Sequence, residues 1–229
     1  MDFKAYDKRH YRTLDVRSGY REWSKTYDAV LFDELHVNLL KRVNVVVWSE
    51  AKRVLDLACG TGDIGVWLRA QGVARVDGVD FTPEMMEQAA AKDVYDALHH
   101  ADICDTGLPP ASFDLITEVL ACEHLKDLAP LYAEAGRLTT TPGTLVIVGY
   151  HPHFLLNGIP THFDGADGEP IAIESYVHLF SDHIRAAQRA GWMLAEMDEA
   201  VVDKTWVHHR PGFAKHLGLP ISFSMVWQK

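Results

Sequence analysis

The chain has 229 residues, 48% hydrophobic and 24% charged, which suits one globular domain with a core large enough to need no disulfide or metal. A count of 22 Lys and Arg against 32 Asp and Glu gives a formal charge of −10, which argues against a nucleic-acid partner. No apolar run approaches the roughly 20 residues of a membrane helix. The opening MDFKAYDKRHYRTLD is too charged for a signal peptide, and three separated cysteines suit a reducing cytoplasm.

In chain order, the periodicity predicts a helical stretch over 18–43, with Tyr20, Trp23, Tyr27 and Leu31 on one face at i, i+3, i+7 and i+11. From Arg53 the chain alternates strand and helix patterns. RVLDLA (53–58) reads as a buried strand and GDIGVWLRAQG (62–72) as a helix closed by Gly72. ARVDGVD (74–80) is a second strand, and TPEMMEQAAAK (82–92) a helix with Thr82 as N-cap and Pro83 at its first position. ALHHAD (97–102) and SFDLITEVL (112–120) read as third and fourth strands, PLYAEAGRLT (130–139) as a helix and TLVIVGY (144–150) as a fifth strand. The rhythm means a parallel sheet with helices on both faces. Residues 151–170, rich in Gly, Pro and Asp, read as a long functional loop. A helix over 174–191, a strand from Met193 and a last strand from Pro220 complete one domain. Its expected parts are an N-terminal helical lid (1–50), a cofactor-binding core (53–150), the active-site loop (151–170) and a C-terminal part of the sheet (171–229).

The stretch DLACGTGDIG (56–65) spells G-x-G-x-x-G through Gly60, Gly62 and Gly65, the fingerprint of a dinucleotide turn. A pyrophosphate needs the helix N-terminus free of anions, yet Asp56 closes the strand and Asp63 opens the helix. Two carboxylates there repel phosphates and attract a cationic head. Asp80, ending the second strand, stands where an acid takes ribose hydroxyls. Phe81 is placed to lie against a purine, and Asp102, with Asp105 as the alternative, to accept an adenine amino group. Glu118, ending the fourth strand, is expected to face the ligand. Ribose, adenine and a cationic head without phosphate describe S-adenosylmethionine. On this reading Gly65 is merely part of the helix, and the third glycine of the fingerprint is a coincidence.

Asp56-Leu-Ala-Cys-Gly60-Thr-Gly62, Asp80 followed by TPEM, Asp102 with Leu108-Pro109, Phe113-Asp114 and Pro142-Gly143 together resemble the motif series of class I S-adenosylmethionine-dependent methyltransferases. The resemblance covers 53–150. It implies a Rossmann-like α/β fold with a seven-stranded, mostly parallel sheet whose last strand, ISFSMVW, inserts antiparallel. It also implies a cofactor across the carboxyl ends of the first, second and fourth strands. Gly60 would face the methionine moiety, Asp80 the ribose, and Asp102 with Ile103 the adenine.

The Tyr20, Trp23, Tyr27 stripe is either core packing or a lid whose rings cover the sulfonium. Glu123 and His124, just past the fourth strand, are candidate acceptor-facing groups able to take a proton; the alternative is a helix-start charge beside a partly buried His. His151 and His153 open the loop, which with Tyr150, Asn157, His162 and Phe163 is expected to wall the acceptor pocket. Tyr176 and His178 are expected to face the same space. The catalytic candidates are therefore His124, Glu123, His153 and Tyr176. The histidines lack the recurring spacing of a metal site, so no metal is expected. The leading expectation is a methyltransferase acting on a small molecule. Three alternatives stand beside it: a cyclase giving azetidine-2-carboxylate and methylthioadenosine, a cofactor-binding regulatory module, and a dehydrogenase.

Overall fold

The computed structural model describes residues 1–30 and 33–229. Seven strands form the main sheet: β2 (Val54–Leu57), β3 (Val76–Asp80), β4 (Ala97–His100), β5 (Phe113–Val119), β6 (Thr139–Tyr150), β9 (Met193–Val201) and β10 (Pro220–Gln228). Their order is β4-β3-β2-β5-β6-β10-β9. The β2, β3, β4, β5 and β6 pairings are parallel, and β10 runs antiparallel to both β6 and β9. The expected antiparallel last strand is thus in place.

β2 is buried along its whole length because helices cover both faces of the sheet, so its run need not alternate. Two apolar clusters fill the two sides. One joins Leu39, Leu40, Trp67 and Leu68 to the sheet, and the other joins Leu131, Tyr132, Ala187 and Trp192 to it. The helices of the alternating core are α4 (Asp63–Ala70), α5 (Pro83–Ala91) and α6 (Ala129–Leu138), and α8 (Phe180–Arg189) precedes β9. Pro83 opens α5 as expected, but the Thr82 side chain makes no capping bond. Instead its amide donates to Asp80 at 2.8 Å.

Three segments differ from the periodicity. The expected 18–43 helix is broken into α1 (Val16–Trp23), α2 (Tyr27–Val30) and α3 (Val37–Leu40). Asp15 caps α1 through the Ser18 amide at 3.0 Å. The Ser24 and Thr26 hydroxyls then turn back onto the carbonyls of Arg21 and Trp23, which ends α1. Leu31 lies outside the described residues. The 174–191 helix begins only at Phe180, because residues before it spend their amides elsewhere: Glu174 on Leu14, Tyr176 on Glu123 and Val177 on Met1.

The expected loop over 151–170 is not a loop. It holds α7 (Pro152–Leu156), capped by His151, and β7 (His162–Asp164), which pairs antiparallel with β8 (Pro170–Ile173). β8 also pairs in parallel with β1 (Arg12–Leu14), making a second, three-stranded sheet. α1 packs hard on it. A Cβ on Gly19 would stand 2.9 Å from Ile173, so only glycine permits that approach. Leu14, Val16, Tyr20 and Trp23 close on Phe163, Ile171 and Ile173 to complete this small cap. The remaining short helix, α9 (Lys204–His209), precedes β10.

Candidate active site

A cavity of about 240 Å³ opens at the carboxyl ends of β2, β3 and β5, where ligands bind in open α/β sheets. Its floor turns on two strained residues. Ala58 after β2 and Leu120 after β5 both adopt positive φ (56° and 59°), and both line the cavity. Gly60 lines it too, at φ 52°. A Cβ there would meet nothing within 4 Å, so this glycine serves backbone conformation and leaves the space open to a ligand.

Asp80 lines the cavity with its carboxylate fixed by two amides, Gly60 at 2.9 Å and Thr82 at 2.8 Å. Burial pushes its pKa up even though both bonds favour the ionised form. Phe81, Asp102, Ile103 and Met85 continue the same wall. β4 stops at His100, so Asp102 sits in the following turn, where its Oδ1 accepts the Cys104 amide at 2.8 Å. Asp105 does not line the cavity. The Arg17 guanidinium lies 5.2 Å from the Phe81 ring.

Four cofactor candidates stand elsewhere: Asp56, Gly62, Glu118 and Trp23. Asp56 is 1% exposed and outside the lining; its two oxygens accept Tyr95 Oη at 2.7 Å and Thr117 Oγ1 at 2.8 Å. Burial pushes its pKa up to about 7, against those two bonds. It supports the floor from below and presents no charge at the mouth. Gly62 and Gly65 pack on that same Tyr95: a Cβ on Gly65 would fall 2.5 Å from its ring, and one on Gly62 3.2 Å. The third glycine is therefore no coincidence. It performs the close-packing task that it has in the dinucleotide fingerprint. Glu118 is fully buried behind the wall, its Oε1 accepting the amides of Ala121 and Cys122. Asp63 does not face the mouth freely either, for His36 Nε2 bonds it at 2.8 Å and holds its pKa down.

The other end of the cavity is formed by Val16, Tyr20, Tyr27, His124 and Leu125. Tyr20 Oη and His124 Nε2 lie 2.9 Å apart, and His124 Nδ1 is 2.7 Å from the carbonyl of Glu174. That carbonyl can only accept, so Nδ1 carries a proton, and in the neutral ring Nε2 accepts the Tyr20 hydroxyl. Burial first, then Tyr27 and the acids Glu123, Asp80 and Glu118, raise the Tyr20 pKa well above its ordinary value. Trp23 does not line the cavity. It stacks between Tyr20 (5.8 Å) and Phe163 (5.3 Å) and meets Tyr27 edge-on at 4.9 Å. The aromatic stripe is thus packing at Trp23 and cavity wall at Tyr20 and Tyr27.

The structure separates the remaining candidates. Glu123 is buried outside the lining, its Oε1 accepting Thr161 Oγ1 at 3.1 Å. His153 sits on α7 beside Asn157, and Tyr176 Oη donates to Glu174 Oε1 at 2.7 Å; neither lines the cavity. His151 is paired with Glu199 at 2.8 Å, and His178 with the Leu125 carbonyl at 2.6 Å. No group of three potential metal ligands occurs among the described residues. Sequence reasoning missed Tyr95, whose only signal is an aromatic just ahead of the third strand. It also missed Ala58 and Leu120, whose signal is their place directly after a strand ending.

Residues 55–147 match a family described as a methyltransferase domain. The demethylmenaquinone methyltransferase of Deinococcus radiodurans is 32% identical over 106 residues, 44% of this chain and 44% of that one. The demethylmenaquinone methyltransferase of Thermus thermophilus is 31% identical over 118 residues, 49% of this chain and 53% of that one. The chain spans about half the length of these curated relatives. A solved S-adenosylmethionine-dependent methyltransferase from Mesorhizobium loti superposes with a TM-score of 0.70 at 20% identity, covering 86% of this chain and 98% of that one. The last likeness shows the fold, and the family match identifies residues 55–147 as a methyltransferase domain, of the class I S-adenosylmethionine-dependent type.

Proposed function

We propose that this protein transfers a methyl group from S-adenosylmethionine to a small-molecule acceptor. One observation carries the reading: a single cavity joins a wall of Gly60, Asp80, Phe81, Asp102 and Ile103 to the hydrogen-bonded pair of Tyr20 and His124. The donor set fits an adenosyl group. Asp80 offers a fixed carboxylate to ribose hydroxyls, Phe81, Ile103 and Met85 offer apolar contact to a flat base, and Asp102 offers an acceptor to its amino group. No Lys or Arg lines the cavity among the described residues, so a phosphate chain finds no counter-charge. This disfavours a dinucleotide.

When bound, S-adenosylmethionine supplies a methyl group already activated on a sulfonium. The chain's own residues orient and dry the site. Proximity of this kind can lower a barrier by about 7–11 kcal/mol. Residues 12–27, with β7 and β8, act as the lid that excludes water. Where the acceptor must lose a proton, His124 Nε2 takes it, and the Glu174 carbonyl keeps the ring oriented. Glu123, His153 and Tyr176 lie outside the cavity and in this scheme do not touch the acceptor. An acidic chain whose cavity is this small favours a metabolite over a nucleic acid. Its three free cysteines are consistent with a cytoplasmic setting, and among the described residues no helix is long and apolar enough to cross a membrane.

The test is incubation of the protein with S-adenosylmethionine, alone and then with a metabolite panel, followed by chromatography and mass spectrometry against a no-enzyme control. Intact cofactor alone, and S-adenosylhomocysteine with one panel member, is the expected result. Enzyme-dependent methylthioadenosine with azetidine-2-carboxylate would overturn it in favour of the cyclase.

A further inference from the structure

A second groove, of about 290 Å³, runs between the start of α6 and the length of α8, and it shares no lining residue with the cavity. Three cations line it on a chain whose formal charge is −10. Arg185 and Arg189 stand one turn apart on the same face of α8. Lys126 comes from the other wall, in the turn just ahead of α6. Two acids share the groove, and both are engaged. Asp127 Oδ1 accepts the Ala129 amide at 3.0 Å, while Asp182 accepts the Leu179 amide at 2.8 Å and pairs with Arg185. Lys126 and Arg189 are exposed and meet no carboxylate among the described residues.

The start of α6 adds to the same field. Its N-cap, Leu128, makes no side-chain capping bond, and Leu128 and Ala129 both line the groove. The positive end of a ten-residue helix therefore opens on it. Met1 closes one end, its amine donating to the Val177 carbonyl at 2.7 Å. The groove also backs onto the cavity. Leu125 lines the cavity, and its carbonyl accepts Nε2–H of His178, 2.6 Å away, which lines the groove. The His178 ring thus reports on the groove, as the His124 ring reports on the cavity.

Cations arriving from two walls suit a particular anion. A carboxylate presents two oxygens in one plane, which a single guanidinium fork satisfies. A phosphoryl group spreads three oxygens about phosphorus and carries about two negative charges at neutral pH. A lysine adds a point charge that needs no fixed angle. We propose that this groove binds a small phosphorylated molecule, at a site separate from methyl transfer, with the phosphoryl oxygens held by Lys126, Arg185 and Arg189. The Asp182 ion pair keeps Arg185 in place and leaves the other two charges uncancelled. No bond is made or broken there; the site is one of recognition.

The test titrates the full chain with sodium pyrophosphate, phosphate and succinate at constant ionic strength, alone and then with S-adenosylhomocysteine present. Calorimetry should rank pyrophosphate above phosphate and phosphate above succinate, with the same affinities in both conditions. Lys126→Gln and Arg189→Gln should each weaken pyrophosphate binding about tenfold, as loss of one charge-assisted contact implies. Lys204→Gln, which removes an exposed cation from α9, should leave it unchanged. Ring 15N spectra should show pyrophosphate shifting His178 and leaving His124 in place. Equal losses in all three variants would reduce the binding to general positive charge and overturn the site. Succinate binding as tightly as pyrophosphate would overturn the phosphoryl assignment. Competition between pyrophosphate and S-adenosylhomocysteine, a shift confined to His124, or no binding at all would overturn the proposal outright.

Discussion

The two ends of the cavity are built by opposite strategies. The end carrying Gly60, Asp80 and Asp102 comes from three successive strand endings, each delivering its group within a few residues of a sheet strand. The end carrying Tyr20 and His124 joins side chains 104 positions apart, and the carbonyl orienting His124 comes from a further 50 positions along. One end follows from local βα geometry, whereas the other exists only after the cap has folded onto the sheet. On the proposed reading, a fixed cofactor wall faces a composite acceptor wall, so that changes in the cap can alter the acceptor side without disturbing the nucleotide side.

The comparison can be broken by asking whether the two ends fail separately. His124→Ala should lower turnover on the acceptor by about 10²- to 10⁴-fold, as expected for loss of a general base. Its affinity for S-adenosylhomocysteine should stay within about threefold. Equal losses in both would move His124 out of the acceptor role. Asp80→Ala should do the converse and weaken cofactor binding at least tenfold, or about 1.4 kcal/mol. Near-native affinity in calorimetry would refute the ribose assignment.

The floor beneath both ends gives a smaller effect with a definite sign. Burial raises the pKa of Asp56 from 3.8 to about 7, and that of Glu118 from 4.5 to about 8. An acid raised in this way adds stability below its unfolded value and loses it as pH climbs through the folded value. Buried His183, its pKa lowered from 6.5 to about 3, acts with the opposite sign below pH 6.5, so the melting temperature of the ligand-free protein should fall chiefly between pH 6.5 and pH 8, by about 5 °C. Asp56→Asn, which cannot ionise, should flatten the lower part of that slope; an unchanged slope would show that Asp56 is ionised throughout. Smallest of all, Trp23→Ala should cost about 1–2 kcal/mol through lost ring contacts. Hydrogen exchange should then quicken in β1 and β8 while β2 is unaffected. Uniform quickening would mean that the cap and sheet unfold as one unit.

The amino-acid sequence by itself determined the alternating core, the antiparallel last strand and the placing of Gly60, Asp80, Phe81, Asp102 and Ile103 around one opening. These follow from periodicities of two and 3.6 residues and from turns only a few residues long. Tertiary structure alone decided the rest. β7 and β8 read as loop because each is short and β8 needs β1, some 160 positions earlier, as its partner. Asp56 reads as a charge at the mouth until Tyr95 and Thr117 are seen to hold it under the floor. Gly65 reads as incidental until the Tyr95 ring is found against it. Trp23 and Tyr20 share a helix face, yet only Tyr20 reaches the cavity. A local pattern records which way a side chain leaves its own backbone; what it meets there depends on a partner brought in from elsewhere in the chain.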